Sequence, residues 1–120
     1  MKEQVAKTWV EALRSGDYKQ TTGVLYDGKG YCCLGVLCCL MGYKFEKAEG
    51  SWSVVGSRKT KDDACKLVPP WEIVEKVGMA SNNGQIYFDT DEYVVLAGMN
   101  DEGQSFETIA DFIEENWQVL

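Results

Sequence analysis

The residues best suited to chemistry are the cysteines, the acidic pairs and a scattering of aromatic, amide and basic side chains. Four of the five cysteines sit in Tyr31-Cys32-Cys33-Leu34-Gly35-Val36-Leu37-Cys38-Cys39-Leu40-Met41-Gly42, the longest apolar stretch of the chain. Zinc sites want cysteine pairs two to four residues apart, usually twice. Here the spacing is Cys-Cys-x4-Cys-Cys, Cys65 is remote and the chain has no histidine. A reactive thiolate needs a neighbouring positive charge, and this run has none. The cysteines therefore read as small buried hydrophobes. An odd number with adjacent pairs suits a reducing compartment better than a disulfide framework.

Absence of histidine removes the commonest general base and the Ser-His-Asp and Cys-His designs. Asp62-Asp63 and Asp101-Glu102 are the candidate carboxylate pairs, and adjacent loop carboxylates are usually solvated. No phosphate-binding glycine motif occurs. The expectation is a protein that is not an enzyme, with no catalytic residue, no metal ligand and no cofactor. A metal-dependent nucleotide hydrolase using Asp or Glu is the weakest alternative.

Aromatics and amides in expected loops remain. Tyr18, Gln20, Trp52 and Asn100, with Asn82, Asn83 and Tyr87, have the chemistry to stack on a base and read its edges. Lys19, Arg58, Lys59 and Lys61, with Arg14, have the charge to hold phosphates. Arg58-Lys59-Thr60-Lys61 is the densest basic island, although such runs are often plain solvated loops. Tyr18, Lys19, Gln20, Trp52, Arg58, Lys59, Lys61 and Asn100 are thus the candidate ligand-binding residues. Trp9 and Trp117 lie on helix stripes and read as core, leaving Trp52 and Trp71 as the tryptophans available to a ligand.

The elements that must position these residues follow from length and pattern. With 120 residues, 45% hydrophobic and 26% charged, the chain has globular composition and the size of one domain, residues 1–120. No run reaches the ~18 apolar residues of a membrane span. No signal-peptide pattern opens the chain, so a cytoplasmic protein is expected. The net charge is −7, unevenly spread. Residues 1–76 are net +2, whereas everything after Lys76 lacks Lys and Arg and carries nine acids, including Glu107, Asp111, Glu114 and Glu115. Bulk nucleic-acid binding needs a basic stripe and is not expected.

Val5, Ala6, Trp9, Val10 and Leu13 predict a helix over 2–15, stopped by Gly16. Tyr18 to Gly30 predicts a hairpin turning at Asp27-Gly28-Lys29-Gly30, with a return strand from Tyr31. Leu34, Leu37, Cys38 and Met41 share one helical face, which predicts a helix over 33–41. Gly35 would cost that helix about 1 kcal/mol, so it points to a close backbone contact. A short strand and then a turn are expected within 43–50 and a strand over 51–55, then a charged loop over 57–66. A helix follows Pro70, with Trp71, Ile73, Val74 and Val77 as its apolar face. Gln85 to Phe88 predicts a strand. Asp89 with Glu92 resembles a capping box for a helix over 93–99, against the strand propensity of Tyr93-Val94-Val95. Ser105 caps a last helix, with Phe106, Ile109, Ala110, Ile113 and Trp117 buried. The expected fold is α+β, a small antiparallel sheet of a hairpin and short strands packed with three to five helices.

Several of these motifs together resemble small proteins of tailed bacteriophages. They are Trp9-x-x-Ala12-Leu13-x-Ser15-Gly16-x-Tyr18-x-Gln20, the Tyr31–Cys38 core, Leu96-x-x-x-Asn100-Asp101 and Ser105-Phe106-x-x-Ile109-Ala110. Small phage proteins of this kind include anti-defence sponges that sequester nucleotide signals of Thoeris or cyclic-oligonucleotide systems. By that resemblance the protein would bind a cyclic ADP-ribose-type or cyclic-oligonucleotide signal without cleaving it. It would act in the cytoplasm of an infected bacterium, as a homo-oligomer. The alternative from charge alone is an acidic inhibitor that docks on a host protein.

Overall fold

The structure, a computed structural model, describes residues 1–55, 64–88 and 91–120. It has α+β architecture. The helices are α1 (Glu3–Ser15), α2 (Cys33–Leu40), the single turn α3 (Ala64–Leu67), α4 (Trp71–Val77), α5 (Leu96–Asp101) and α6 (Phe106–Asn116), with a 3-10 turn over Trp117–Val119. Strands β1 (Lys44–Ala48) and β2 (Ser51–Val55) form one antiparallel hairpin, and β3 (Gln85–Tyr87) and β4 (Tyr93–Val95) form another. The radius of gyration, 13.3 Å, is close to the ~13.6 Å expected of one packed unit of this length.

The central helix forms where the apolar run predicts it. Cys32 caps α2 in extended conformation, its Sγ accepting from the Gly35 N–H at 3.3 Å. Cys33, Leu34, Val36, Leu37 and Cys38 are all buried. Gly35 is required because an added Cβ would overlap the Leu25 carbonyl oxygen, the close approach its presence implies. Against α2 packs α1, through Ala6, Trp9, Val10 and Leu13, and α6 closes on α1 and α5, burying Phe106, Ile109, Ala110 and Ile113 in the same core. The fully buried Trp9 donates its indole N–H to the Cys33 carbonyl at 2.9 Å, giving its polar tip the partner that burial demands. Ser105 caps α6 by accepting from the Thr108 N–H at 3.2 Å. Trp117, expected on the α6 stripe, instead lies half-buried in the 3-10 turn.

Four expectations are corrected. Residues 18–30 form no hairpin ladder; Tyr31 makes only single bridges to Gln20 and Tyr26. The backbone groups of this stretch are engaged elsewhere. Leu25 N–H donates to the Lys66 carbonyl, Cys32 N–H to the Leu25 carbonyl and Gly23 N–H to Asp101 Oδ1. The turn itself is real: Asp27 Oδ1 accepts from the N–H groups of Lys29 at 2.9 Å and Gly30 at 2.7 Å. Residues 93–99 do not form one helix. Tyr93–Val95 pair with Gln85–Tyr87, and only from Leu96 is the chain helical, where its N–H has already been taken by the Gly84 carbonyl. Strand propensity therefore wins over the Asp89 and Glu92 signal, and Asp89 is outside the described residues. Trp71 heads α4 but is 58% exposed, so that helix buries Ile73, Val74 and Val77 alone. The expected loop over 57–66 ends in α3, and residues 56–63 are outside those described.

The β1–β2 hairpin turns at Glu49 and Gly50, with φ of 52° and 80°. Two consecutive left-handed residues are the two-residue turn that matches strand twist. Its register pairs Phe45 with Val54 and Lys47 with Trp52, so those four side chains share one face.

Candidate functional site

That shared face meets the Asp27 turn. Tyr26 is the hub: its ring stacks on Tyr31 at 4.5 Å, tilts against Phe45 at 5.1 Å and meets Trp52 edge-on at 4.9 Å. Tyr31 in turn receives Tyr18 edge-on at 5.4 Å. Gly28, at φ 92°, lies under the Trp52 indole, where an added Cβ would come within 2.8 Å of Nε1. A side chain there would push the tryptophan off the turn. The outcome is a groove of about 510 Å³ walled by Tyr26 and Trp52 and lined also by Asp27, Lys47, Lys66 and Leu67. This lies within the range of about 300–1,000 Å³ usual for small-ligand sites.

Its electrostatics follow from local bonding. Asp27 Oδ2 accepts from the Thr21 hydroxyl at 2.7 Å. That bond and the two turn N–H donors hold the carboxyl down at about 2, so Asp27 is ionised at neutral pH. Lys47 and Lys66 supply the opposing cations. Lys47 is exposed and stands directly across the ladder from Trp52. An aromatic face and an ammonium on one cross-strand pair can take a planar ring and an attached anionic group together.

The neighbouring thiols and phenols are held neutral. Burial pushes Cys32 up to about 11, Cys33 well above its usual value and Tyr31 up to about 12. Cys39 is also raised by burial. Neutral thiols are poor nucleophiles. Among the described residues no three Cys, Asp or Glu side chains gather as a metal site.

The candidate residues of the sequence divide into four groups. Trp52 lines the groove, and Tyr18 backs it two rings away through Tyr31. Gln20 and Asn100 are brought together, but to each other. Asn100 is fully buried; its Oδ1 accepts from Gln20 Nε2 at 3.0 Å and Cys33 N–H at 3.2 Å, while its Nδ2 donates to the Thr21 carbonyl at 2.7 Å. Gln20 also donates to the Gln104 carbonyl at 2.7 Å and accepts from Phe106 N–H at 3.1 Å. These amides tie loop, α2, α5 and α6 into one node. Neither side chain lines the groove. Lys19 is exposed, and its carbonyl accepts from Tyr31 N–H at 2.7 Å; its side chain does not line the groove. Arg58, Lys59 and Lys61 are outside the described residues. Arg14 pairs with Asp111 at 2.5 Å and Glu114 at 2.9 Å, far from any free phosphate role.

Sequence reasoning missed Tyr26, Asp27, Lys47 and Lys66. For Lys47 a signal existed, since strand alternation places it on the side of Phe45 rather than of Glu46. Asp27 was readable as a turn residue only, because its place in the groove beside Trp52 depends on the meeting of two distant segments.

The site is thus an aromatic-walled groove with two lysines, carried on an α+β fold with a cysteine-rich central helix. The chain belongs to the family described as a domain of unknown function (DUF8296), whose model matches residues 1–117. Comparison with curated proteins and with solved structures found no match. No helix among the described residues is long and apolar enough to cross a membrane.

Proposed function

We propose that the protein binds a small anionic aromatic ligand, a nucleotide, in the Tyr26–Trp52 groove and holds it unaltered. The observation that carries this reading is the Lys47–Trp52 cross-strand pair on the groove side of the hairpin. A base stacks on Trp52 and Tyr26 while phosphates meet Lys47 and Lys66. Asp27, ionised beside them, accepts from ribose hydroxyls or exocyclic amines and steers the phosphates to the lysine end. No thiol lines the groove, and the buried Cys32 and Cys33 thiols are held protonated, which favours storage over covalent chemistry.

The resemblance to small tailed-phage proteins supplies the setting. The ligand is then a host immune signal of cyclic ADP-ribose or cyclic-oligonucleotide type, sequestered in the infected cell. The groove is open along one side, and a homo-oligomer is the form that would close it.

The test is to incubate the purified protein with a panel of such nucleotides, remove free ligand by filtration, then heat the retained protein and identify what is released. Intact nucleotide appearing only after heating supports sequestration. A chemically altered nucleotide, or no retention of any member of the panel, overturns it.

A further inference from the structure

A second surface shares no residue with the groove. Phe88 is 54% exposed at the end of β3, and its ring meets Phe112 of α6 edge-on at 5.9 Å. Val94, Met99 and Phe112 floor an adjoining hollow of about 360 Å³ whose rim carries Asp111 and Glu115. The Phe88 N–H donates to the Glu92 carbonyl at 2.9 Å, which brings a third acid beside the exposed ring. Single exposed apolar side chains need no explanation, but an aromatic step opening into an apolar hollow is a binding feature.

The charge around it selects the occupant. Every charged residue after Lys76 is acidic. Among the described residues Arg14 engages Asp111 from the α1 side, whereas Glu115 has no ion-pair partner. Phosphate-rich partners, nucleic acid and anionic lipid alike, are repelled by that sign. A second copy would bring the same acids against themselves, at a net charge of −7 per chain. We propose that this face docks a cationic segment of another protein, one apolar side chain entering the Val94–Met99–Phe112 hollow while flanking Lys or Arg side chains pair with Glu115 and Glu92. This site does not depend on nucleotide binding in the groove.

The probe is a short synthetic helical peptide with leucine at i, i+3, i+4 and i+7 and lysine elsewhere, compared with its glutamate counterpart. Backbone amide NMR shifts of the full chain are followed during titration. The lysine peptide is expected to shift residues around Val94, Met99, Phe112 and Glu115, with affinity falling about tenfold or more between low and high salt. The variant Phe88→Ser with Glu115→Lys changes only exposed side chains, so it keeps the fold, and it is expected to weaken binding by about tenfold or more. Shifts centred elsewhere, equal binding of the glutamate peptide, or unchanged affinity in the variant would overturn the proposal. So would absence of binding at millimolar peptide. Self-association of the free protein that the same variant abolishes would assign the face to a second copy and overturn it equally.

Discussion

Asn100 illustrates how one amide can decide a fold. Its carboxamide sits at zero exposure between a loop, the start of α2 and the end of α5, and both ends of it are hydrogen-bonded. Replacing it by alanine leaves the Cys33 N–H, the Thr21 carbonyl and one Gln20 donor without this partner, in a place water does not reach. Unmade buried bonds cost more than made ones gain, so Asn100→Ala is expected to lower stability by about 2–4 kcal/mol in urea unfolding. A loss below about 1 kcal/mol would mean the node is dispensable. Asp27 gives a titratable counterpart. Its ionised form is favoured in the fold, so its contribution is present above the unfolded value of 3.8 and is lost as pH falls towards about 2. The wild type should therefore exceed Asp27→Asn in urea midpoint at neutral pH, with the gap closing between those limits. Cys32 acts at the other end with the opposite sign. Its protonated form is favoured in the fold, so its contribution is whole below the unfolded value of 9.0 and fades as pH rises to about 11. A gap of constant size across the acid range would show that Asp27 is not held as described.

At the scale of elements, helices were the legible part of the sequence and the loop between α1 and α2 was not. Helices α1 and α6 bury one stripe at a 3.6-residue period, and that stripe is a local property of the residues that form it. Residues 18–31 carry strand-forming types and a good turn, yet their hydrogen bonds run to α2, α3 and the Asn100-Asp101 pair. No local pattern announces partners dozens of residues away. The same holds for the candidate site: Trp52 was readable as a spare aromatic, but its companions Tyr26, Lys47 and Lys66 come from three further segments. The cysteines show the converse, since the lack of nearby charge in the sequence already marks them as packing. Cys38, fully buried in α2, should on conversion to alanine cost on the order of 1 kcal/mol through lost contacts. Nucleotide affinity should stay unchanged, because the residue does not line the groove. Lost affinity in a folded Cys38→Ala protein, measured by calorimetry, would contradict a purely structural role. Gly35→Ala is a sharper test of the same element. Its added methyl has no room beside the Leu25 carbonyl, and thermal melting should show a protein that is unfolded or severely destabilised.

For the whole molecule, charge is divided along the chain and the two proposed surfaces divide with it. The groove draws its lysines from the net-positive first part, and the Phe88–Phe112 face lies within the all-acidic remainder. A single chain can thus hold an anion at one place and a cationic segment at another without either field cancelling the other, because screening in physiological salt confines each to about 8 Å. The centre, α2 with three cysteines and a fourth as its N-cap, serves both by packing against α1 and α5, on which α6 closes. The most direct measurement of the central claim is calorimetric titration of a nucleotide retained by the wild type into Lys47→Glu. Lys47 is exposed and the substitution leaves the core untouched. An unchanged circular dichroism spectrum with affinity weakened about tenfold or more is the result the groove predicts. Equal affinity in the folded variant would place the ligand elsewhere and contradict the account.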